Sequence, residues 1–187
     1  MTSSGTSAFE ALPQRLYLDS CTVQTLRDYG ASIFEGEPID PRDKINSIPH
    51  GIEHVEALRR IFEINERALF EWIVGPGSVA EARDKNDPGH LRWVYDVLDH
   101  TEVCLTESGG PTQASRERAA LAGSPKFGYL SEKDKKLIQE AVYFDCDAFL
   151  TVEQRLPKNG PHLQRELGLR VFRPTDFWAV LEPWAGL

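Results

Sequence analysis

Five short runs with the composition of β-strands are spread along the chain, each followed by helical or loop signals, and this alternation limits the fold more than any other feature. The runs are RLYLDS (15–20), ALFEWIV (68–74), EVCLT (102–106), DAFLT (147–151) and LRVF (169–172). Between them, GIEHVEALRRIFEINERA (51–68) sets Ile52, Val55, Leu58, Ile61 and Phe62 mostly three and four residues apart. HLRWVYDVLDH (90–100) does the same with Leu91, Val94, Tyr95 and Leu98. Strands that alternate with helices build βαβ units and a parallel sheet covered on both faces. The expected fold is α/β, a three-layer α/β/α sandwich around a central, mostly parallel five-stranded sheet. Extra helices fill the long interval between the first and second strands.

At 187 residues the chain reads as one domain over 15–187, behind a short disordered tail over 1–14. The tail lacks the basic start and apolar stretch of a signal peptide. No segment approaches the roughly 18 apolar residues of a bilayer span, so no membrane partner is expected. Residues 35–51 and 106–115 are rich in Pro, Gly and polar side chains and read as loops, with a short helix over 115–123. A last helix starts behind Pro174. Cys21, Cys104 and Cys146 form no CxxC pair and read as reduced core residues of a cytoplasmic protein. The net charge of −8 excludes a generic, salt-driven nucleic-acid binder. It leaves open an enzyme that meets phosphates through metal ions held by its own carboxylates.

In an open α/β sheet, ligands sit beyond the carboxyl ends of the strands, where strand order reverses. Four acids fall at such places. Asp19 ends the first strand, Glu81 follows the second, Asp134 opens the helix that leads into the fourth, and Glu153 follows the fourth. Each also has a structural explanation. Ser78-x-x-Glu81 and Ser131-x-x-Asp134 match or approximate a capping box, and acids in a first helical turn favour the helix dipole. Asp134 shares a helical face with Ile138, Ala141 and Val142, the stripe that must meet the sheet, whereas Lys133, Lys135, Lys136 and Gln139 take the wetter faces. Carboxylates crowded at one rim need a cation, and hard oxygen ligands without His or Cys favour Mg²⁺ or Mn²⁺. A buried Arg would serve the same purpose for a single acid.

With LDSCT (Asp19, Ser20), SVAEA (Glu81), LSEKD (Asp134), FLTVE (Thr151, Glu153) and the closing LGLRVFRPTDF in this order, the chain resembles the PIN-domain nucleases over about half its length. That resemblance implies a PIN-like fold and metal-dependent hydrolysis of RNA phosphodiesters. Asp19, Glu81, Asp134 and Glu153 would then be the catalytic metal ligands for Mg²⁺ or Mn²⁺, and Ser20 and Thr151 would orient them. It also implies an RNA substrate, with the toxin of a toxin–antitoxin pair as one setting and an antitoxin or homodimer partner over the site. Position alone suggests Arg116, Arg118, Lys126 and Lys158 for substrate phosphates. The chain departs from the family pattern at Cys21, where Asn is usual and supplies a supporting hydrogen bond, and at Glu153, where Asp is usual. Asp147, at the start of its strand, lies away from that rim.

Two rival readings follow from the same residues. A PIN-like fold that has lost catalysis would serve as a binding or scaffold module. A haloacid-dehalogenase-like phosphohydrolase would use Asp19 as nucleophile, but its Asp-x-Asp pattern meets Cys21 at the second position. His50 and His54 are four apart without the HExxH order and read as a solvated helix start, and GPGS (75–78) reads as a turn.

Overall fold

In the computed structural model, residues 12–84, 87–107 and 109–186 are described. The chain is α/β, built on a four-stranded sheet in the order β2-β1-β3-β4 with every pair parallel. The strands are β1 (Arg15–Leu18), β2 (Glu71–Ile73), β3 (Ala148–Leu150) and β4 (Arg170–Phe172). Three helices separate β1 from β2: α1 (Ser20–Asp28), α2 (Gly30–Phe34) and α3 (Gly51–Ala68). Then come α4 (Pro76–Asp84), α5 (Pro88–Glu107), α6 (Gln113–Ala122) and α7 (Glu132–Tyr143) before β3. Helix α8 (Gly160–Leu167) joins β3 to β4, and α9 (Pro174–Leu181) follows β4.

Period-two alternation in the strands divides the core into two clusters. Leu16 and Leu18 face one side with Val23 and Leu26 of α1, Val55, Leu58 and Ile61 of α3, and Phe177 of α9. Tyr17, Ile73 and Phe149 face the other with Ile138, Ala141 and Val142 of α7 and Leu163 and Leu167 of α8. The Tyr17 and Phe149 rings stack at 5.3 Å. Both faces are therefore covered, in agreement with the three-layer expectation. Burial on both sides is why the strands read as apolar runs and not as alternating ones. It also fixes register, since a slip of one residue would move each apolar side chain to the other face.

The sheet has four strands where five were expected, because EVCLT (102–106) is the last part of α5. No Pro or Gly interrupts the chain between His90 and Thr106, and the inward positions His90, Val94, Val97, Thr101 and Cys104 follow one another at four, three, four and three. A five-residue run with three apolar side chains carries no periodicity of its own, and the helix before it continues through it. The second strand also begins later than expected. Leu69 closes α3 in the left-handed region (φ 52°), which turns the chain so that pairing starts at Glu71. Ile52, expected on the inner face of α3, is exposed, and His54 is buried there instead, 3% exposed.

Of the tail expected over 1–14, residues 1–11 lie outside the described residues. Leu12 is packed into the core, and the Gln14 N–H donates to Asp147 at 2.9 Å. Among the described residues, no helix is long and apolar enough to cross a membrane.

Candidate metal centre

The chain leaves β1 for β2 on one side and returns to β3 on the other, so strand order reverses between β1 and β3. The carboxyl ends of those two strands flank the crevice where ligands bind in open α/β sheets. Asp19 directly follows β1 and Thr151 directly follows β3.

Asp19 caps helix α1, its Oδ1 accepting the Thr22 N–H at 2.7 Å. Its Oδ2 accepts the Thr151 hydroxyl. The same Thr151 oxygen accepts the Glu153 N–H at 3.0 Å, and the Thr22 hydroxyl donates to the Leu150 carbonyl at 3.1 Å. The turn after β3 is thereby tied to the first turn of α1. Asp19 is only 5% exposed, and its pKa is pushed up to about 6. Burial is the main cause and the nearby Glu153 charge adds to it, opposed by the Thr151 and Thr22 hydrogen bonds. Glu153 is exposed, and the Cys21 thiol donates to its Oε1 at 3.5 Å. One ligand atom each from Asp19, Cys21 and Glu153 lies within 4.8 Å of the others.

Of the four expected metal ligands, this group contains Asp19 and Glu153. The other two are placed differently. Glu81, in α4, is 13% exposed and pairs with the Lys133 ammonium at 3.0 Å. Asp134 is half-buried in the first turn of α7, where its N–H donates to the Ser131 hydroxyl at 3.0 Å, the first half of the expected capping box. Neither belongs to a convergent group of three potential ligands among the described residues. Of the two expected orienting residues, Thr151 touches Asp19 directly. Ser20 is buried, and its hydroxyl has no partner among the described residues.

The basic residues expected at phosphates are scattered. Arg118 pairs with Asp145 and donates to the Leu167 carbonyl at 3.0 Å. Those partners precede β3 and β4, so Arg118 stands at the entry end of the sheet, opposite Asp19. Lys126 pairs with Glu166 at 2.5 Å. Arg116 and Lys158 are exposed. Asp147 lies at the entry end as expected, its carboxylate accepting the N–H groups of Gln14 and Arg15 at 2.9 Å.

Three features escaped the sequence reading. Lys133, assigned to a wet face, pairs with Glu81. Burial lowers its pKa, but Glu81, Cys21 and Glu153 together raise it beyond that. Arg173, just past β4, forms a two-pronged pair with Asp176 and donates to Gln154 at 3.3 Å, next to Glu153. On the other face of the sheet, Glu140 accepts the Tyr17 hydroxyl at 2.7 Å and the Gly77 N–H at 2.9 Å, so an internal carboxylate sits at the start of α4. A Cβ on Gly75 would lie 2.2 Å from that carboxylate, which explains why GPGS carries glycine there without being a phosphate loop.

The donor set suits a hard divalent ion. Ligands about 2.1 Å from one octahedral ion lie at most about 4.2 Å apart, so a small movement of exposed Glu153 completes the approach. Both Asp19 oxygens already accept one hydrogen bond, which leaves each a further lone pair for a cation. Sulfur is a soft ligand that a hard divalent ion does not favour, which leaves the two carboxylates as the ligands.

No protein-family model, curated protein or solved structure matches the chain.

Proposed function

We propose that the chain is a PIN-like, divalent-metal-dependent ribonuclease that hydrolyses RNA phosphodiesters at the crevice between β1 and β3. The observation that carries this reading is the approach of Asp19 and Glu153 at the point where strand order reverses. Asp19 and Glu153 would hold the Mg²⁺ or Mn²⁺, with Asp134 and Glu81 at the margin. When bound, such an ion activates water and neutralises charge developing on the phosphate. Thr151 fixes the Asp19 carboxylate, and the Cys21 thiol holds Glu153 in place of the hydrogen bond that Asn supplies in the PIN pattern. Cys21, Cys104 and Cys146 form no disulfide among the described residues, which supports a reducing, cytoplasmic setting. A toxin–antitoxin pair, with an antitoxin or a second copy covering the rim, belongs to the same proposal.

The competing reading, a binding module without catalysis, draws on the burial of Asp19 and the pairing of Glu81 with Lys133. Incubation of RNA with the protein, Mn²⁺ or Mg²⁺, and EDTA controls tests the choice. Cleavage that needs the metal and is lost in Asp19→Asn supports the nuclease. Mn²⁺ binding without cleavage of any single-stranded or structured RNA points to the module.

A further inference from the structure

A cavity of about 280 Å³ opens between α2, α3 and α5 beside β2, an edge strand of the sheet. Four aromatic rings line it: Phe34 of α2, Phe62 of α3, Trp72 of β2 and Trp93 of α5. Phe62 and Trp72 stack at 4.6 Å, and Phe34 meets Phe62 at 76°, so these rings form two walls of a corner. Phe34, 53% exposed, and the exposed Asp96 mark the mouth. Asp96 makes no ion pair among the described residues, and no Lys or Arg lines the cavity. The cation–π contacts among the described residues fall on Trp178 and Tyr95 instead. The Trp72 indole N–H donates to Asn65 at 3.0 Å, and His100, the other polar side chain on the wall, has its Nε2 3.5 Å from the Cys104 sulfur. The lining thus offers aromatic faces and one carboxylate, and no cation of the chain meets either.

We infer that this cavity binds a small organic cation of the quaternary ammonium class, its methyl groups against the four rings and its charge toward Asp96. An aromatic ring attracts a cation through its negative face, most strongly where water is excluded. A primary ammonium needs an acceptor for each of its three N–H groups, which one carboxylate does not supply. A methylated ammonium carries its charge without N–H donors, so apolar walls suit it. An uncharged ligand would use the rings and leave Asp96 unmet. The net charge of −8 favours a cation at long range. Neither Asp19 nor Glu153 lines this cavity, so its ligand is independent of the metal reading.

Calorimetric titration with choline, and with dimethylbutanol, the uncharged isostere in which carbon replaces nitrogen, separates charge from shape. The wild-type protein is expected to bind choline at millimolar concentration or below, and the isostere and ethanolamine about tenfold more weakly. Asp96→Asn and Phe34→Leu change exposed side chains, and an unchanged melting temperature confirms that each variant is folded. Each should weaken choline several-fold, and Asp96→Asn should leave the isostere unaffected. Co-sedimentation of the wild type, but not of Phe34→Leu, with phosphatidylcholine vesicles would place the cation on a lipid headgroup; choline binding without co-sedimentation makes it a free molecule. Equal affinity for choline and its isostere, choline binding unchanged in both variants, or no choline binding by the wild type overturns the inference.

Discussion

Thr151 donates its hydroxyl to Asp19 and accepts the Glu153 N–H at 3.0 Å, so one side chain joins the acid behind β1 to the acid behind β3. Threonine is suited to this because its single oxygen donates and accepts at once. The bond from Asp19 to Thr22 then passes the constraint into α1.

Replacing Thr151 by Val keeps the shape and removes both roles. The buried Asp19 carboxylate loses a donor, an unmet hydrogen bond that costs about 1–3 kcal/mol, while the Glu153 N–H, on an exposed residue, exchanges its acceptor for water. Urea unfolding of Thr151→Val should show a loss in that range, and the Mn²⁺ midpoint should move to higher concentration because Asp19 is no longer held. A variant as stable as the parent, with unchanged Mn²⁺ affinity, would remove Thr151 from the centre.

Asp19 gives the fold a pH dependence of unusual sign for an acid. Its pKa in the folded state, about 6, exceeds the ordinary 3.8, so the folded chain holds a proton that the unfolded chain has lost. Its contribution to stability is therefore greatest below the unfolded value and falls as pH rises toward about 6, then stays constant above, a difference of about 3 kcal/mol at most. Asp19→Asn keeps the cap on α1 and abolishes this dependence. Denaturation at about pH 4.5 and about pH 7.5 should show the variant gaining on the wild type at the higher pH. Saturating Mn²⁺ should reverse that order at neutral pH, because the wild type alone regains stability by binding.

His54 has the opposite behaviour. It is buried, and neither ring nitrogen has a hydrogen-bond partner among the described residues. Burial lowers its pKa below the usual 6.5; the positive Arg173 and His50 add to this, and Asp176 and Glu53 oppose it. Its neutral form is the one the fold accepts, so its contribution is present above the unfolded value and is lost as pH falls below about 6.5. His54→Leu should flatten the decline in melting temperature between about pH 7.5 and about pH 5.5. An equal decline in both proteins would show that the ring finds a partner when charged.

The strand and helix order was legible because buried parallel strands and amphipathic helices leave period and composition signals. The stretch 102–106 shows the limit, since three adjacent apolar residues say nothing about period until the helix before them is followed through Thr101 and Cys104. Asp19 and Glu153 could be placed at one rim because they follow strands that the sequence identifies. The partnership of Glu81 with Lys133 could not. It depends on how α4 and α7 approach across the sheet, and their sequence separation carries no trace of that distance. The burial of His54 was hidden for a related reason: α9, which covers that face of α3, lies more than a hundred residues downstream.

Glu140 gives the last prediction, because its network makes a glycine indispensable. A Cβ at Gly75 would meet Glu140 Oε2 at 2.2 Å and the Tyr17 hydroxyl at 2.9 Å. A carboxylate at the end of a free side chain would swing aside at little cost, but this one is held by Tyr17 and by the Gly77 N–H. Burial raises its pKa more than its hydrogen bonds lower it, so displacing it also disturbs a half-buried charge. Gly75→Ala should therefore cost about 1–3 kcal/mol, the range for overfilled cores. Glu140→Ala removes the obstacle, and the two substitutions together should cost clearly less than the sum of each alone. Additive losses in a double-mutant cycle of urea midpoints would mean that Gly75 is needed for its backbone and not for the space beside Glu140.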